Sequence, residues 1–188
     1  MNYLFFDTEE ANCFNNDKKI CSFGYLLCDD NFKIIEVDDL LMNPESKWDK
    51  YALKNVIKYI VEDFLVSPAF QFFYNKLKSL FNDSIAIGHS TRFDVQALND
   101  TAKRYNLEPI KLKYLDIAEI YKSYNNDKNV MGLSKLASIY GLDTQGAKHT
   151  SLEDARITRN ITLKLLEEVN LDLASLLKKI KMNIIENN

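Results

Sequence analysis

The chain has only two histidines, and each stands five residues ahead of an aspartate: His89 before Asp94 in GHSTRFD, and His149 before Asp154 in KHTSLED. Near the start, FFDTEEA carries an Asp-x-Glu pair, Asp7 and Glu9. Cleaving a phosphodiester at neutral pH requires an activated water, neutralised charge on the phosphoryl oxygens and a stabilised leaving alkoxide, and divalent cations held by carboxylates can supply all three. Mg²⁺ and Mn²⁺ prefer oxygen ligands, and Mg²⁺ keeps several waters, so a few acids converging on one cleft suffice. Asp7, Glu9, Asp94 and Asp154 provide such acids, and a histidine provides a base whose unperturbed pKa of about 6.5 suits proton transfer from water. Each feature taken alone has an ordinary structural reading, as a solvated acidic pair or a capping or surface histidine. Order and context single them out: acids at the end of a strand, acids at a strand-to-helix junction, then His-x4-Asp entering a helix. Spacing does not say which histidine is the base.

The elements that must position these groups are readable from periodicity. Tyr3 to Phe6 is a short apolar run ending in Asp7, a buried strand that delivers acids at its end, and alternation puts Asp7 and Glu9 on one face. ICSFGYLLC (20–28) and FKIIEVDDLLM (32–42) are strands joined by Asp29, Asp30 and Asn31, whose turn chemistry completes an antiparallel meander. Asn43-Pro44 ends it. Helices are predicted around Lys47 to Leu65 and again from Ser67, with Ser67 as N-cap and Pro68 in the first helical position. The stripe of phenylalanines and leucines in PAFQFFYNKLKSLF is read as core. SIAIGH (84–89) is a strand running into the helix TRFDVQALNDTAKRYN, which holds Asp94 in its first turns, and KLKYLD (111–116) repeats the arrangement with Asp116 at its end. GLSKLASIYGL (132–142) is a short helix closed by Gly141. Thr150 and Glu153 then form a capping-box signature at the start of a long helix that carries Asp154. The last segment, 170–188, is predicted as an amphipathic helix packed on the domain or on a partner. These elements give an α/β domain, a mixed five-stranded sheet with an antiparallel meander and helices on both faces.

Composition bounds the partners. A chain of 188 residues with 46% hydrophobic content can bury a full core in one domain, and a net charge of −3 is no basic clamp for duplex nucleic acid. Cys13, Cys21 and Cys28 are odd in number and lack Cys-x-x-Cys spacing, and the start has no basic leader, so a cytoplasmic protein with no membrane segment is expected. Cys21 and Cys28 fall in an apolar run and are read as small buried hydrophobes.

Together FFDTEEA, IGHSTRFDVQAL and KHTSLEDARIT resemble the three motifs of the DnaQ-like DEDD exonucleases, in the variant with histidine as the fifth residue, and the resemblance covers about residues 1–169. ICSFGYLLCDDNFKIIEVDDLLMNP, SPAFQFFYNKLKSLF and YLDIAEI are similar to its intervening elements. The resemblance implies an RNase H-like fold and a metal-dependent 3′–5′ exonuclease domain over 1–169. It would release nucleoside monophosphates from single-stranded or unpaired 3′ ends of DNA, or of RNA, with two divalent cations, Mg²⁺ or Mn²⁺. It implies Asp7, Glu9, Asp94 and Asp154 as metal ligands, Asp7 as their bridge, and His149 as the base. His89 matches a histidine that is not a ligand, which suggests a structural role at the strand end. Asp116 matches an acid outside the set and is read as a cap or loop anchor. Thr8, Glu10, Phe14, His89 and Phe93 are the candidate substrate contacts, the two phenylalanines by stacking on bases. Where the family commonly has Thr-Thr-Gly this chain has Glu10-Ala11-Asn12, and Ser90 follows the second motif's histidine where asparagine is common. These departures bear on how a 3′-terminal nucleotide is held, and Glu10 adds charge near phosphate. The opposing reading is a nucleic-acid-binding or scaffold module of the same fold without turnover. Nothing beyond residue 169 is recognisable as a polymerase-binding tail, so neither a polymerase partner nor a homodimer has support in the sequence.

Overall fold

Three long strands lead the chain: β1 (Asn2–Asn12), β2 (Lys19–Cys28) and β3 (Ile34–Leu41), each antiparallel to the next. The computed structural model describes residues 1–14, 17–50, 53, 59–142 and 150–187. The β2–β3 turn is built by Asp29, whose Oδ1 accepts the backbone N–H groups of Asn31 and Lys33, both at 2.9 Å. Short side-chain acceptors of this kind replace the missing ladder bonds of a tight turn. Strands β4 (Ser84–Gly88) and β5 (Leu112–Asp116) add parallel to β1, and β6 (Ile185–Asn187) closes the far edge antiparallel to β5. The result is one six-stranded sheet in the order β3-β2-β1-β4-β5-β6.

Alternation along β1 divides the core. Tyr3 and Phe5 face Ile120 of α4 (Ile117–Asn125), Leu136 of α5 (Leu133–Ile139), Ile161 of α6 (Ser151–Val169) and Leu176 of α7 (Leu173–Lys179). Leu4 and Phe6 face Tyr74 and Leu77 of α2 (Phe70–Asn82) and Leu98 of α3 (Arg92–Arg104). Each fully buried Leu or Phe contributes roughly 1.5–3 kcal/mol. A short α1 (Val61–Val66) buries Phe64 against Trp48 and Tyr59. The predicted α/β class, with a mixed sheet and helices on both faces, is the observed one.

Several details differ from the sequence reading. The sheet has six strands where five were predicted, because the C-terminal segment is not one helix: α7 stops at Lys179, Lys181 takes a left-handed φ of 55°, and Ile185–Asn187 return as β6. The β-branched Ile184-Ile185 pair fits a helical stripe equally well in sequence, and only the open edge of β5 selects the strand. Ser67 does not start a helix. Its N–H is given to Phe64 O, its Oγ donates to Asp63 O at 2.7 Å, and it closes α1, while α2 begins at Phe70. Of the helix predicted around 47–65, residues 51, 52 and 54–58 lie outside the described set; among the described residues Lys50 and Leu53 are helical and α1 forms at Val61–Val66. β1 also runs well past Asp7, to Asn12. Among the described residues no helix is long and apolar enough to cross a membrane.

Candidate active site

β1 pairs with β4 only over Asn2–Phe5, so beyond Phe6 that flank of β1 is open, and Asp7 and Glu9 project at the carboxyl end of the parallel strands. Brought down on the same face is the first turn of α6, where Thr150 Oγ1 accepts the Glu153 N–H at 3.3 Å and Asp154 N–H bonds Thr150 O at 2.9 Å. Ligand oxygens of Asp7, Glu9 and Asp154 all lie within 4.8 Å of one another. An acid in the first turn of a helix is also favoured by the macrodipole.

Two features hold α6 at this distance. Gly24, the cross-strand partner of Asp7, lies directly beneath the helix start, where a Cβ would overlap the backbone of Ser151 and Leu152. At the helix's first residue, the Ser151 N–H bonds the Tyr59 hydroxyl at 3.1 Å, and that hydroxyl donates to Asp39 at 2.9 Å. Ser22, beside Glu9 in the ladder, joins the same network through Asp39 and Ser151. Neither Gly24 nor Tyr59 was singled out from sequence. An isolated glycine inside a strand does signal close backbone approach, whereas nothing local marks Tyr59.

Thr8 faces the opposite side, toward α3. Asp94, in the first turn of α3, accepts through Oδ1 from Thr8 N at 3.1 Å and Thr8 Oγ1 at 2.7 Å. Asp94 therefore stands next to the three-acid cluster but outside its 4.8 Å grouping. Of the predicted substrate contacts, Thr8 is thus engaged with Asp94. His89 Nε2 shares a hydrogen bond with Met131 O at 2.7 Å. Asp116 caps α4 through Ala118 N and anchors the loop before α3 through Thr91 N at 3.1 Å. His149 lies outside the described residues.

Glu10 does not stand as a free charge: Lys18 Nζ lies 2.6 Å from its Oε1. Lys18, another residue not found from sequence, also sits over the Phe93 ring at 5.4 Å and lowers the Asp94 pKa. Phe14 and Phe93 are both exposed, and core packing does not account for either.

Burial and mutual repulsion set the electrostatics. Glu9 is 7% exposed, and burial followed by Asp154 and Glu10 pushes its pKa to about 8. Burial raises Asp94 to about 7, against the pull of Thr8. Asp7 is held well above the usual carboxylate range by burial and then by the charges of Asp94, Asp154 and Glu9. Buried like charges this close are costly unless a cation compensates them. Among the described residues the set offers hard oxygen donors, which fits Mg²⁺ or Mn²⁺.

An α/β sheet with paired acids at its carboxyl edge and a third acid entering from a helix has the donor set by which metal-dependent phosphoryl hydrolases hold divalent cations. A model of the RNase T exonuclease family matches residues 4–162, and the chain belongs to that family. The resemblance read from its motifs is thereby upheld. DNA polymerase III PolC-type of Staphylococcus aureus is 24% identical over 169 residues, which is 89% of this chain but 11% of that protein. The chain thus spans about a tenth of its curated relatives. Among solved structures, the nuclease domain of 3'hExo, a DEDDh family member bound to rAMP, superposes with TM-score 0.77 at 14% identity, covering 100% of this chain and 97% of that one. E. coli exonuclease I in complex with a dA16 oligonucleotide gives 0.74 at 16% identity, covering 95% and 42%.

Proposed function

We propose that this domain is a 3′–5′ exonuclease that removes nucleoside monophosphates from single-stranded or unpaired 3′ ends, with DNA the leading substrate and RNA the alternative. The observation that carries the reading is the convergence of Asp7, Glu9 and Asp154 within 4.8 Å beside Asp94, in a chain of the exonuclease family. DNA leads because the curated relatives matched along the sequence are DNA polymerases, while solved neighbours include proteins bound to a deoxyoligonucleotide and to a histone mRNA stem-loop.

Asp7, Glu9, Asp94 and Asp154 would hold two divalent cations, Mg²⁺ or Mn²⁺. When bound, such ions lower the pKa of water, neutralise phosphoryl charge and stabilise the leaving oxygen. The chain's own residues do the rest. Thr8 orients Asp94 and favours its ionised form by donating two hydrogen bonds. Gly24 and Tyr59 fix the start of α6 and with it Asp154. His149, next to the Thr150 cap, takes the proton of the attacking water. Phe14 and Phe93 present exposed rings to terminal bases, and Lys18 masks the charge of Glu10.

The test is a time course on 3′- and 5′-labelled single-stranded DNA and RNA with Mg²⁺ or Mn²⁺, beside Asp154→Asn. Stepwise shortening from the 3′ end, lost in the variant, is the expected result. No cleavage, or equal cleavage by the variant, would hand the lead to a binding module without turnover.

A further inference from the structure

At the start of α3 lies a cavity of about 390 Å³ bounded by Arg92, Phe93, Tyr114, Val130 and Ile185. That volume is within the range of small-ligand sites, roughly 300–1,000 Å³, and suits about one nucleotide. Its apolar walls are exposed: Phe93 is 46% exposed, Val130 47% and Ile185 47%. Isolated exposed apolar side chains are ordinary, but three converging on one concavity are not. Two acids also line it, and both are engaged: Asp116 accepts from Thr91 N and Ala118 N, and Glu119 is paired with Lys122 at 3.3 Å. Arg92 is different. Its guanidinium lies 4.6 Å from the Phe93 ring centroid and makes no hydrogen bond or ion pair among the described residues. Asp94 follows Phe93 directly in α3, so the cavity opens one residue along the chain from an acid of the site.

We propose that this cavity is a subsite for an upstream nucleotide of the single strand, its base against Tyr114, Val130 and Ile185 and its phosphate on Arg92. The proposal deepens the exonuclease reading and rests on it. Aromatic faces accept any base, and an unpaired arginine binds phosphate by charge-assisted hydrogen bonds, so the subsite adds affinity with length and not with sequence. β6 gains a purpose too, since Ile185 forms one wall.

The experiment measures kcat/KM with Mn²⁺ for thymidine 5′-p-nitrophenyl phosphate, which reports chemistry at one nucleotide, and for thymidine oligonucleotides of increasing length. Wild type is expected to gain about tenfold at the length that reaches the cavity, the effect of one phosphate contact with stacking. Arg92→Ala and Val130→Glu should both lose that step, and Arg92→Ala should lower the salt slope of log KM by about 0.7. Lys164→Ala, on an exposed ion pair of α6, should keep it. No length step, or an equal fall on reporter and oligonucleotide in Arg92→Ala, overturns the subsite while the exonuclease stands. A reporter and oligonucleotides that are all uncleaved overturn both.

Discussion

Replacing Glu9 by glutamine should change how the metal-free protein's stability depends on pH. In the folded chain burial, Asp154 and Glu10 lift Glu9 from 4.5 to about 8. An acid with a raised folded pKa binds its proton more tightly when folded, so between those values the native state holds more protons than the unfolded state. Stability must then fall as pH rises, with a slope of up to ~1.4 kcal/mol per pH unit from this one group. From about pH 5 to pH 8 the upper bound is ~4 kcal/mol, and sharing of protons among the coupled acids reduces it to about 2. Glu9→Gln removes the titrating group while keeping its shape. Urea unfolding of EDTA-treated protein should give similar stability for the two proteins near pH 5, where Glu9 is protonated, and a glutamine variant about 2 kcal/mol more stable near pH 8. Mn²⁺ should stabilise the wild type more at the higher pH, because metal and proton compete for the same carboxylates. Parallel pH profiles for the two metal-free proteins would refute the argument, since they would mean that Glu9 titrates alike folded and unfolded.

Gly24→Ala places a methyl group in the backbone of Ser151 and Leu152, so it should cost at least about 1–3 kcal/mol in chemical unfolding and impair activity by moving Asp154. Thr8→Val removes the 2.7 Å hydrogen bond that favours ionised Asp94. Its pH–rate profile should shift its acidic limb upward, with about a tenfold loss near neutral pH and little change in thermal stability. Tyr59→Phe leaves the Ser151 N–H and Asp39 without their shared hydroxyl. It should cost about 1–2 kcal/mol by urea unfolding and raise the Mn²⁺ concentration for half-maximal activity, with normal activity at saturating metal.

Much of this site could be read from local pattern, because each motif lies on an element that periodicity identifies. Strand alternation assigned Asp7 and Glu9 to one face, and the capping chemistry of Thr150 placed Asp154 in a helix's first turn. The apolar spacing of α2 marked a stripe of phenylalanines and leucines as core, and Phe70, Leu77, Leu80 and Phe81 are buried while Phe72 is exposed. Other features depended on packing that no local pattern encodes. Whether Ile184 and Ile185 continue a helix or form a strand is decided by the unpaired edge of β5, a partner distant in sequence. Ser67 has an ideal N-cap composition, yet the chain uses it to end α1 because Phe64 must be buried there.

By itself, the sequence determined the acids, their order and the secondary elements that carry them, since residue chemistry and short-range periodicity are local properties. Only the tertiary structure decided which groups surround those acids. Gly24 lets a helix backbone rest on the sheet, Tyr59 caps that helix from a remote segment, and Lys18 folds back to neutralise Glu10. The raised pKa values of Glu9 and Asp94 belong to the same level. They arise from burial and from charges brought together across the sheet, and neither exists until distant parts of the chain have packed.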